Sequence, residues 1–149
     1  MPYRVLFVCT GNSARSQIAE ALLGSLGGER FAAASAGAEP AARVNPLAVK
    51  VLKDHGIIWN GRTPRSVNDV DKEQWDVVIT VCDHAKESCP IFPGQPVVAH
   101  WGMPDPTTPE AFAETYDVLH RRIRRLVGLP FDELDPAERA AAVNAIGAA

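Results

Sequence analysis

The sequence lacks a long hydrophobic run, an excess of basic charge and a large number of cysteines. Its longest apolar stretch near the start, residues 5–9, is far too short to cross a bilayer, and no small-residue cleavage site accompanies it. The net charge is −3, so no global basic field favours nucleic acid. We therefore expect a cytoplasmic protein that binds neither membranes nor nucleic acid.

Only three cysteines occur, at positions 9, 82 and 89, and an odd number cannot all pair within one chain. A domain of 149 residues can bury a core without a disulfide scaffold, which leaves reactive or metal-binding thiols as the main interpretations. No repeat or linker interrupts the chain. We expect one domain over residues 1–149, with a core at about 3–127, a helical extension at about 130–149, and a monomer as the default state.

Four short apolar stretches alternate with segments whose apolar residues recur at helical spacing. Asn45-Pro46 and Thr108-Pro109 each place a polar N-cap before a proline, which predicts a helix start. The pattern is typical of an α/β fold: a single domain with a four-stranded parallel sheet and helices on both faces. We predict strands at 3–8, 31–36, 76–81 and 96–101, and a long helix after Thr108 whose mostly solvated side carries Arg121, Arg122, Arg124 and Arg125.

The segment between the first predicted strand and helix contains a cysteine, five residues, an arginine and a serine: Cys9, Thr10, Gly11, Asn12, Ser13, Ala14, Arg15 and Ser16. A tight turn here can aim backbone N–H groups inward and form an anion site at a helix N-terminus. Arg15 can hold a tetrahedral oxyanion with paired hydrogen bonds, and the same positive surroundings favour the nucleophilic thiolate of Cys9. Ser16 can donate a hydrogen bond to that thiolate. The alternative is a buried cysteine at a strand end beside an unrelated arginine.

Cys82 also follows a predicted strand, so Cys9 and Cys82 can open into one pocket at the carboxyl edge of the sheet. Cys89 comes seven positions later, which on a regular helix would separate the two Cα atoms by roughly 10 Å. A disulfide requires about 7 Å or less, so joining Cys82 to Cys89 needs a change of conformation. The alternatives are two incidental cysteines, or a zinc site with His84 and His100 that lacks the usual tight cysteine pairs.

The stretch VCTGNSARSQIAEALL at residues 8–23 resembles the nucleophile loop of the low-molecular-weight tyrosine phosphatase superfamily. Its Ser16-Gln17 and Ala19-Glu20 pairs are similar to the thioredoxin-coupled arsenate reductase branch. Further matches are SAG at 35–37, VNP at 44–46, and HWG at 100–102 followed by Asp105-Pro106, so the resemblance covers about residues 3–127. It implies the four-stranded parallel sheet that the strand count also indicates.

The resemblance also implies a role for each thiol and for one carboxyl group. Cys9 attacks arsenic, Asp105 protonates the departing oxygen, and Cys82 and Cys89 complete a thiol relay that thioredoxin resets. No cofactor is then bound, and arsenate, phosphate or sulfate can occupy the loop. A phosphatase needs neither Cys82 nor Cys89, and it typically has an aromatic residue after Asp-Pro, where this sequence has Thr107.

Some reductases of this branch hold a potassium ion near the loop, and Asn12, Glu20 and Ser35 match its usual neighbours. Arg65 stands near the position of a further expected aspartate, and one cation beside another is unfavourable. We therefore expect no bound metal. Asn12 then braces the loop through its side chain, and Glu20 is a solvated helix residue.

These residues predict an arsenate reductase that uses Cys9, Cys82 and Cys89, with thioredoxin as the external electron donor. The main alternative is a low-molecular-weight phosphatase that uses only Cys9, Arg15 and Asp105 and consumes no electrons. A non-enzymatic alternative is an oxyanion-binding redox sensor whose disulfide changes a partner surface.

Overall fold

The computed structural model describes residues 2–82 and 92–148, so Cys89 and His84 lie outside the described residues. Four parallel strands form one sheet in the order β2-β1-β3-β4. The strands are β1 (Tyr3–Cys9), β2 (Phe31–Gly37), β3 (Val77–Thr80) and β4 (Val97–His100). The helices of the described residues are α1 (Arg15–Leu26), α2 (Pro46–Asp54), α3 (Pro109–Val127) and α4 (Pro136–Ala148).

The predicted single α/β domain with a four-stranded parallel sheet is confirmed. β3 and β4 each begin one residue later and end one residue earlier than predicted. Backbone pairing nevertheless continues past both strands: Asp76 N–H donates to the Arg4 carbonyl oxygen at 2.9 Å, and Trp101 N–H donates to that of Thr80 at 2.7 Å. The difference therefore concerns only where regular pairing ends.

Strand β1 lies inside the sheet, and its residues Val5, Leu6, Phe7 and Val8 have no exposed surface. Burial on both faces explains why this strand is an unbroken apolar run rather than an alternating one. The register pairs Cys9 with Gly37 of β2 and Val8 with Thr80 of β3. Because the strands are parallel, their carboxyl ends lie at one edge of the sheet, where Cys9 and Cys82 emerge.

The helices begin where the sequence indicates. The side chain of Asn45 accepts a hydrogen bond from Leu47 N–H at 2.9 Å, and that of Thr108 accepts one from Ala111 N–H at 3.1 Å. Each cap precedes a proline at the first helical position, where a missing N–H costs nothing. α3 packs its apolar stripe against α1 and α2. No helix within the described ranges is long and apolar enough to span a membrane.

Helix α4 covers the edge of the sheet at β4. The Asn144 side chain acts like a neighbouring strand, because its Oδ1 accepts from His100 N–H and its Nδ2 donates to the Val98 carbonyl oxygen, both at 3.2 Å. The fully buried Trp101 donates from Nε1 to the Val143 carbonyl oxygen at 2.8 Å. These bonds satisfy polar groups that an open strand edge would leave exposed.

Arg122 corrects the prediction that the arginines of α3 lie mostly in solvent. Its guanidinium group turns toward α4 and donates to the carbonyl oxygens of Trp101 at 3.3 Å and Gly147 at 3.2 Å. Burial, and the charge of Arg121, lower the pKa of Arg122 from its usual value. The arginine thus ties α3, α4 and the segment after β4 together.

We predict that Gly147→Ala destabilises the protein although alanine favours helices. A Cβ at position 147 would lie 2.4 Å from Trp101 Cδ1 and 2.7 Å from the His100 carbonyl oxygen. Forcing α4 away from β4 should lower the free energy of unfolding by about 1–3 kcal/mol.

Gly24→Ala in α1 is the matched control, because a Cβ there meets nothing within 4 Å. Its free energy of unfolding should rise by about 0.5–1 kcal/mol. Urea denaturation measures both variants, and equal stabilisation of the two would contradict the close packing of α4 on Trp101.

Candidate active site

The loop between β1 and α1 is attached to the rest of the protein by its carbonyl oxygens. A peptide group is planar and trans, so when its C=O points one way, the N–H of the next residue points the other way. The carbonyl oxygens of residues 9, 10, 11 and 13 accept hydrogen bonds of 2.8–3.0 Å from the N–H groups of residues 38, 39, 41 and 45. The following N–H groups therefore face the opposite side, and Asn12 N–H donates to Cys9 Sγ at 3.2 Å.

Two residues allow the loop to approach this support. A Cβ at Gly37 would lie 2.7 Å from the Thr10 carbonyl oxygen and 2.9 Å from the Asn12 nitrogen, so only glycine fits there. Asn12 has φ 50, in the left-handed region, which asparagine tolerates better than most residues. Ala14 at the N-cap of α1 supplies no side-chain hydrogen bond, so the first N–H groups of α1 remain for an anion.

The thiol of Cys9 lies at the centre of these donors. Cys9 is buried, and its Sγ is 2.7 Å from Ser16 Oγ. Asn12 Nδ2 donates both of its hydrogens, to Ser16 Oγ at 2.8 Å and to Ser35 Oγ at 2.9 Å. Ser16 Oγ accepts from Asn12 and keeps its own hydrogen for the sulfur, which accepts it when Cys9 is a thiolate. Donors that face a buried sulfur stabilise its thiolate form.

The orientation of the Asn12 amide is fixed by its other neighbours. Its Oδ1 accepts from Arg65 N–H at 3.0 Å and from Gln17 Nε2 at 3.2 Å. Gln17 is oriented in turn, because its Oε1 accepts from Trp59 Nε1 at 2.9 Å. A flipped Asn12 amide would put NH₂ against two donors, so the network permits one orientation only. The sequence predicted a bracing role for Asn12, but it did not indicate Gln17 or Trp59 as its support.

Glu20 corrects another prediction, since it is not a solvated helix residue. Its side chain is 13% exposed, and Oε1 accepts from Ser35 Oγ at 2.6 Å. Oε2 accepts more weakly from Arg62 Nη1 at 3.4 Å. Burial holds the pKa of the Glu20 carboxyl group above its usual value, although the hydrogen bond from Ser35 and the charges of Arg62 and Arg65 act to lower it.

Arg15 and Asp105 reach the loop from different elements. Arg15 begins α1, and Asp105 lies in the irregular segment between β4 and α3. Nη1 of Arg15 donates to the Met103 carbonyl oxygen at 3.0 Å, and Nη2 is 3.6 Å from Asp105 Oδ1. The buried Nε of Arg15 has no hydrogen-bond partner within the described part of the chain. An anion bound at the loop would supply the acceptor that this donor needs.

One cleft of about 430 Å³ brings the predicted nucleophile, arginine and acid together. Cys9 and Arg15 lie in it beside Asp105, whose side chain is 68% exposed. The arrangement suits attack by a thiolate on a tetrahedral oxyanion, with an acid near the departing oxygen. The remaining lining residues are Thr10, Gly11, Ser13, Ala14, Asn45, Pro106 and Thr107.

Cys82 lies beside the same loop, two residues after β3 ends. Its Sγ is 3.2 Å from Thr10 Oγ1, and the residue is buried. Cys9 and Cys82 are both free thiols. His100, a candidate zinc ligand, pairs its Nδ1 with Thr80 Oγ1 at 2.7 Å. Within residues 2–82 and 92–148, no group of three or more His, Cys, Asp or Glu side chains is arranged to hold a metal ion.

Residues 4–139 match the family described as low molecular weight phosphotyrosine protein phosphatase. The chain belongs to this family. It is 38% identical over 124 residues to an arsenate reductase of Halalkalibacterium halodurans. The aligned residues cover 83% of this chain and 88% of that relative. Within this phosphatase family its relatives thus include arsenate reductases.

Solved structures show the same likeness. An arsenate reductase from Archaeoglobus fulgidus superimposes with a TM-score of 0.72 at 32% identity, covering 84% of this chain and 99% of that chain. A thioredoxin-dependent arsenate reductase from Corynebacterium glutamicum superimposes with a TM-score of 0.67 at 31% identity, covering 84% of this chain and 60% of that chain. Most of α4 lies beyond the family match, which ends at residue 139.

We predict that Asn12→Asp slows alkylation of Cys9 by iodoacetamide about tenfold or more. Aspartate tolerates the left-handed backbone at this position, so the loop keeps its shape. It removes both Nδ2 donors and adds an acceptor, so the Ser16 hydroxyl turns from the sulfur to the carboxylate, and a negative charge faces the thiolate.

The measurement uses a background without the other two cysteines. Asn68→Asp is the control, because Asn68 is exposed and lies outside the loop network. Equal alkylation rates in Asn12→Asp and Asn68→Asp would contradict the role given to the Asn12 amide.

Proposed function

We propose that this member of the phosphatase family reduces arsenate to arsenite and that three of its own thiols carry the electrons. One observation carries the proposal: a second thiol, Cys82, contacts the loop through Thr10 Oγ1 at 3.2 Å. Hydrolysis of a phosphate ester by this loop uses one thiol, whereas reduction must end with an oxidised pair. The arsenate reductases among the relatives support the same function.

In the first step arsenate occupies the loop, held by backbone N–H groups and Arg15. The Cys9 thiolate attacks arsenic, and a bond forms between sulfur and arsenic(V). Asp105 gives a proton to a hydroxyl group of the arsenate, and that group leaves as water. The side-chain exposure of Asp105 and its place in the same cleft as Cys9 suit this role.

In the second step the electrons reach arsenic. Cys82 loses its proton, and its thiolate attacks Cys9 Sγ. The electron pair of the sulfur–arsenic bond stays with arsenic, which leaves as arsenite in the trivalent state. The two thiols lose two electrons and become a Cys9–Cys82 disulfide. Cys9 ends β1, and Cys82 lies two residues after the neighbouring strand β3, which supports attack over a short distance.

In the third step Cys89 attacks Cys82, which frees Cys9 and leaves a Cys82–Cys89 disulfide. Cys89 lies outside the described residues, so its part rests on the sequence. Thioredoxin would reduce this disulfide, as the Corynebacterium glutamicum relative's dependence on it suggests. The protein would work in the cytoplasm as a monomer with no bound cofactor, with phosphate or sulfate able to compete for the loop.

We predict that Cys82→Ser abolishes arsenate-dependent NADPH oxidation in the presence of thioredoxin and thioredoxin reductase. Cys89→Ser should allow about one turnover per protein and then stall, because Cys82 can still attack Cys9 but no thiol releases the product disulfide. Stopped assays that count arsenite per protein separate these two results.

The wild-type protein without arsenate gives the background rate. Sustained turnover by Cys89→Ser with thioredoxin alone would contradict the third step. Wild-type protein that oxidises no NADPH with arsenate, but hydrolyses an aryl phosphate steadily, would contradict the reduction itself.

The second candidate is a phosphatase that uses Cys9, Arg15 and Asp105 and releases phosphate with water. The shared cleft of these three residues favours it, as does the family to which the chain belongs. Thr107 lines the cleft where the sequence comparison with phosphatases leads us to expect an aromatic ring, so a planar aryl group has less to pack on. Hydrolysis without any thiol donor, unchanged in Cys82→Ser, would identify this activity.

We predict that Asp105→Asn lowers the rate of arsenate reduction about 100-fold and leaves alkylation of Cys9 unchanged. Asparagine keeps the size of the side chain but cannot give a proton to the departing oxygen. Rapid-quench measurement of the first turnover tests this. An equal loss in alkylation would assign Asp105 to the structure of the loop instead of proton transfer.

A further inference from the structure

A second, polar cavity of about 190 Å³ adjoins the loop at Asn12. Its lining includes Glu20, Ser35, Arg62 and Arg65. Asn12, Glu20 and Ser35 are the residues at which the family resemblance implies a potassium ion. The donors and acceptors around this cavity decide whether such an ion fits.

The oxygen atoms that would bind a cation already accept hydrogen bonds. Oδ1 of Asn12 accepts from Arg65 N–H at 3.0 Å, and the Ser35 carbonyl oxygen accepts from Arg65 Nε at 3.0 Å. Glu20 accepts from Ser35 Oγ at 2.6 Å and from Arg62 Nη1 at 3.4 Å. Two permanent positive charges line the same cavity, and they would repel a metal ion. The residues present therefore do not fit potassium.

We propose that Arg65, together with Arg62, takes the place of a bound cation, so that the nucleophile loop is organised without a metal ion. A carboxylate as little exposed as that of Glu20 needs a positive partner. Arg62 supplies the direct ion pair, and the guanidinium group of Arg65 donates from Nε to the Ser35 carbonyl oxygen of β2. The charge of Arg65 also acts on Glu20, whereas its contact to the loop comes from its backbone N–H.

Arg65 is well placed to position other groups. Its carbonyl oxygen accepts from Gly37 N–H at 2.8 Å, and the next residue, Ser66, forms a parallel bridge with Gly37. The backbone of Arg65 is thus tied to the end of β2, while its N–H orients the Asn12 amide. Arg65 touches neither Cys9 nor the cleft residues, so it is a positioning residue.

Glu20 determines which groups of this hydrogen-bond network donate and which accept. Ser35 has one hydroxyl hydrogen, which it donates to Glu20, so its oxygen must accept from Asn12 Nδ2. Asn12 uses its second hydrogen on Ser16, and Ser16 then donates to Cys9 Sγ. A charged Glu20, held in place by the arginines, therefore favours the hydrogen bond that stabilises the thiolate.

This inference rests on Cys9 as the nucleophile in the proposed function, but not on arsenate as the substrate. The test therefore measures thiol reactivity and thermal stability, neither of which needs turnover. Failure of arsenate reduction would leave both measurements valid, and failure of this test would leave the thiol relay intact.

The experiment compares the melting temperature and the rate of Cys9 alkylation by iodoacetamide in potassium chloride and in choline chloride at equal ionic strength. All proteins carry Cys82→Ser and Cys89→Ser, so only Cys9 reacts. The variants are Arg65→Ala and Arg65→Lys. Arg124→Ala, an exposed arginine of α3, is the control for loss of one positive charge.

We expect the background protein with Arg65 intact to give the same two values in both salts. Arg65→Ala should react about three- to tenfold more slowly, Arg65→Lys should recover part of that loss, and Arg124→Ala should react at the original rate. A potassium-specific rise in the melting temperature or alkylation rate of the protein with Arg65 intact would overturn the proposal. Alkylation of Arg65→Ala at the original rate would overturn it as well.

Discussion

The attachment of the loop carbonyl oxygens to residues 38–45 is the constraint on which the active site depends. Each of these bonds points a carbonyl group away from the cleft, and the planar peptide then turns the next N–H toward it. No charged side chain is needed to create this array of donors. The close approach works because Gly37 has no Cβ to strike Thr10 or Asn12. The end of β2 and the segment 38–45 thus determine the backbone geometry of the loop independently of the loop's own side chains.

The buried polar side chains behind the loop determine the direction of the hydrogen bonds that lead to Cys9. Asn12, Ser16, Gln17 and Ser35 are all nearly inaccessible to solvent, so an unpaired donor among them would be costly. Each donor hydrogen in the hydrogen-bond network from Ser35 to Cys9 therefore has one acceptor. Such a network stabilises one protonation pattern strongly, because changing one member leaves another without a partner. The network ends at Cys9 Sγ, which is 2.7 Å from Ser16 Oγ.

The sequence was sufficient to predict what is encoded locally. The apolar run before Cys9, the glycine and arginine that follow, and the two proline-marked caps predicted the sheet, the loop and the helix starts. Contacts between distant residues could not be predicted in the same way: Trp59 reaches Gln17 across 42 positions, and Arg65 reaches Asn12 across 53. Helical spacing also misplaced Arg122, and the prediction that Glu20 is solvated was wrong as well. Spacing determines the face on which a Cα lies, whereas a long side chain can turn its charged end toward a partner.

In both proposed reactions Cys9 attacks the bound oxyanion first, so the outcome depends on which nucleophile reaches the adduct next. Water is abundant, but a thiol fixed beside the sulfur has a high effective concentration and loses little freedom on reaction. In the proposed reaction Cys82 is that thiol: β3 pairs directly with β1, and Cys82 Sγ lies 3.2 Å from Oγ1 of Thr10, the residue after Cys9. In the proposed reaction the sheet therefore positions the electron donor, a thiol, next to the adduct, and no bound cofactor is needed for this step. For the second step of the proposed reaction a phosphatase loop requires no change of its own, only a cysteine two residues after the neighbouring strand.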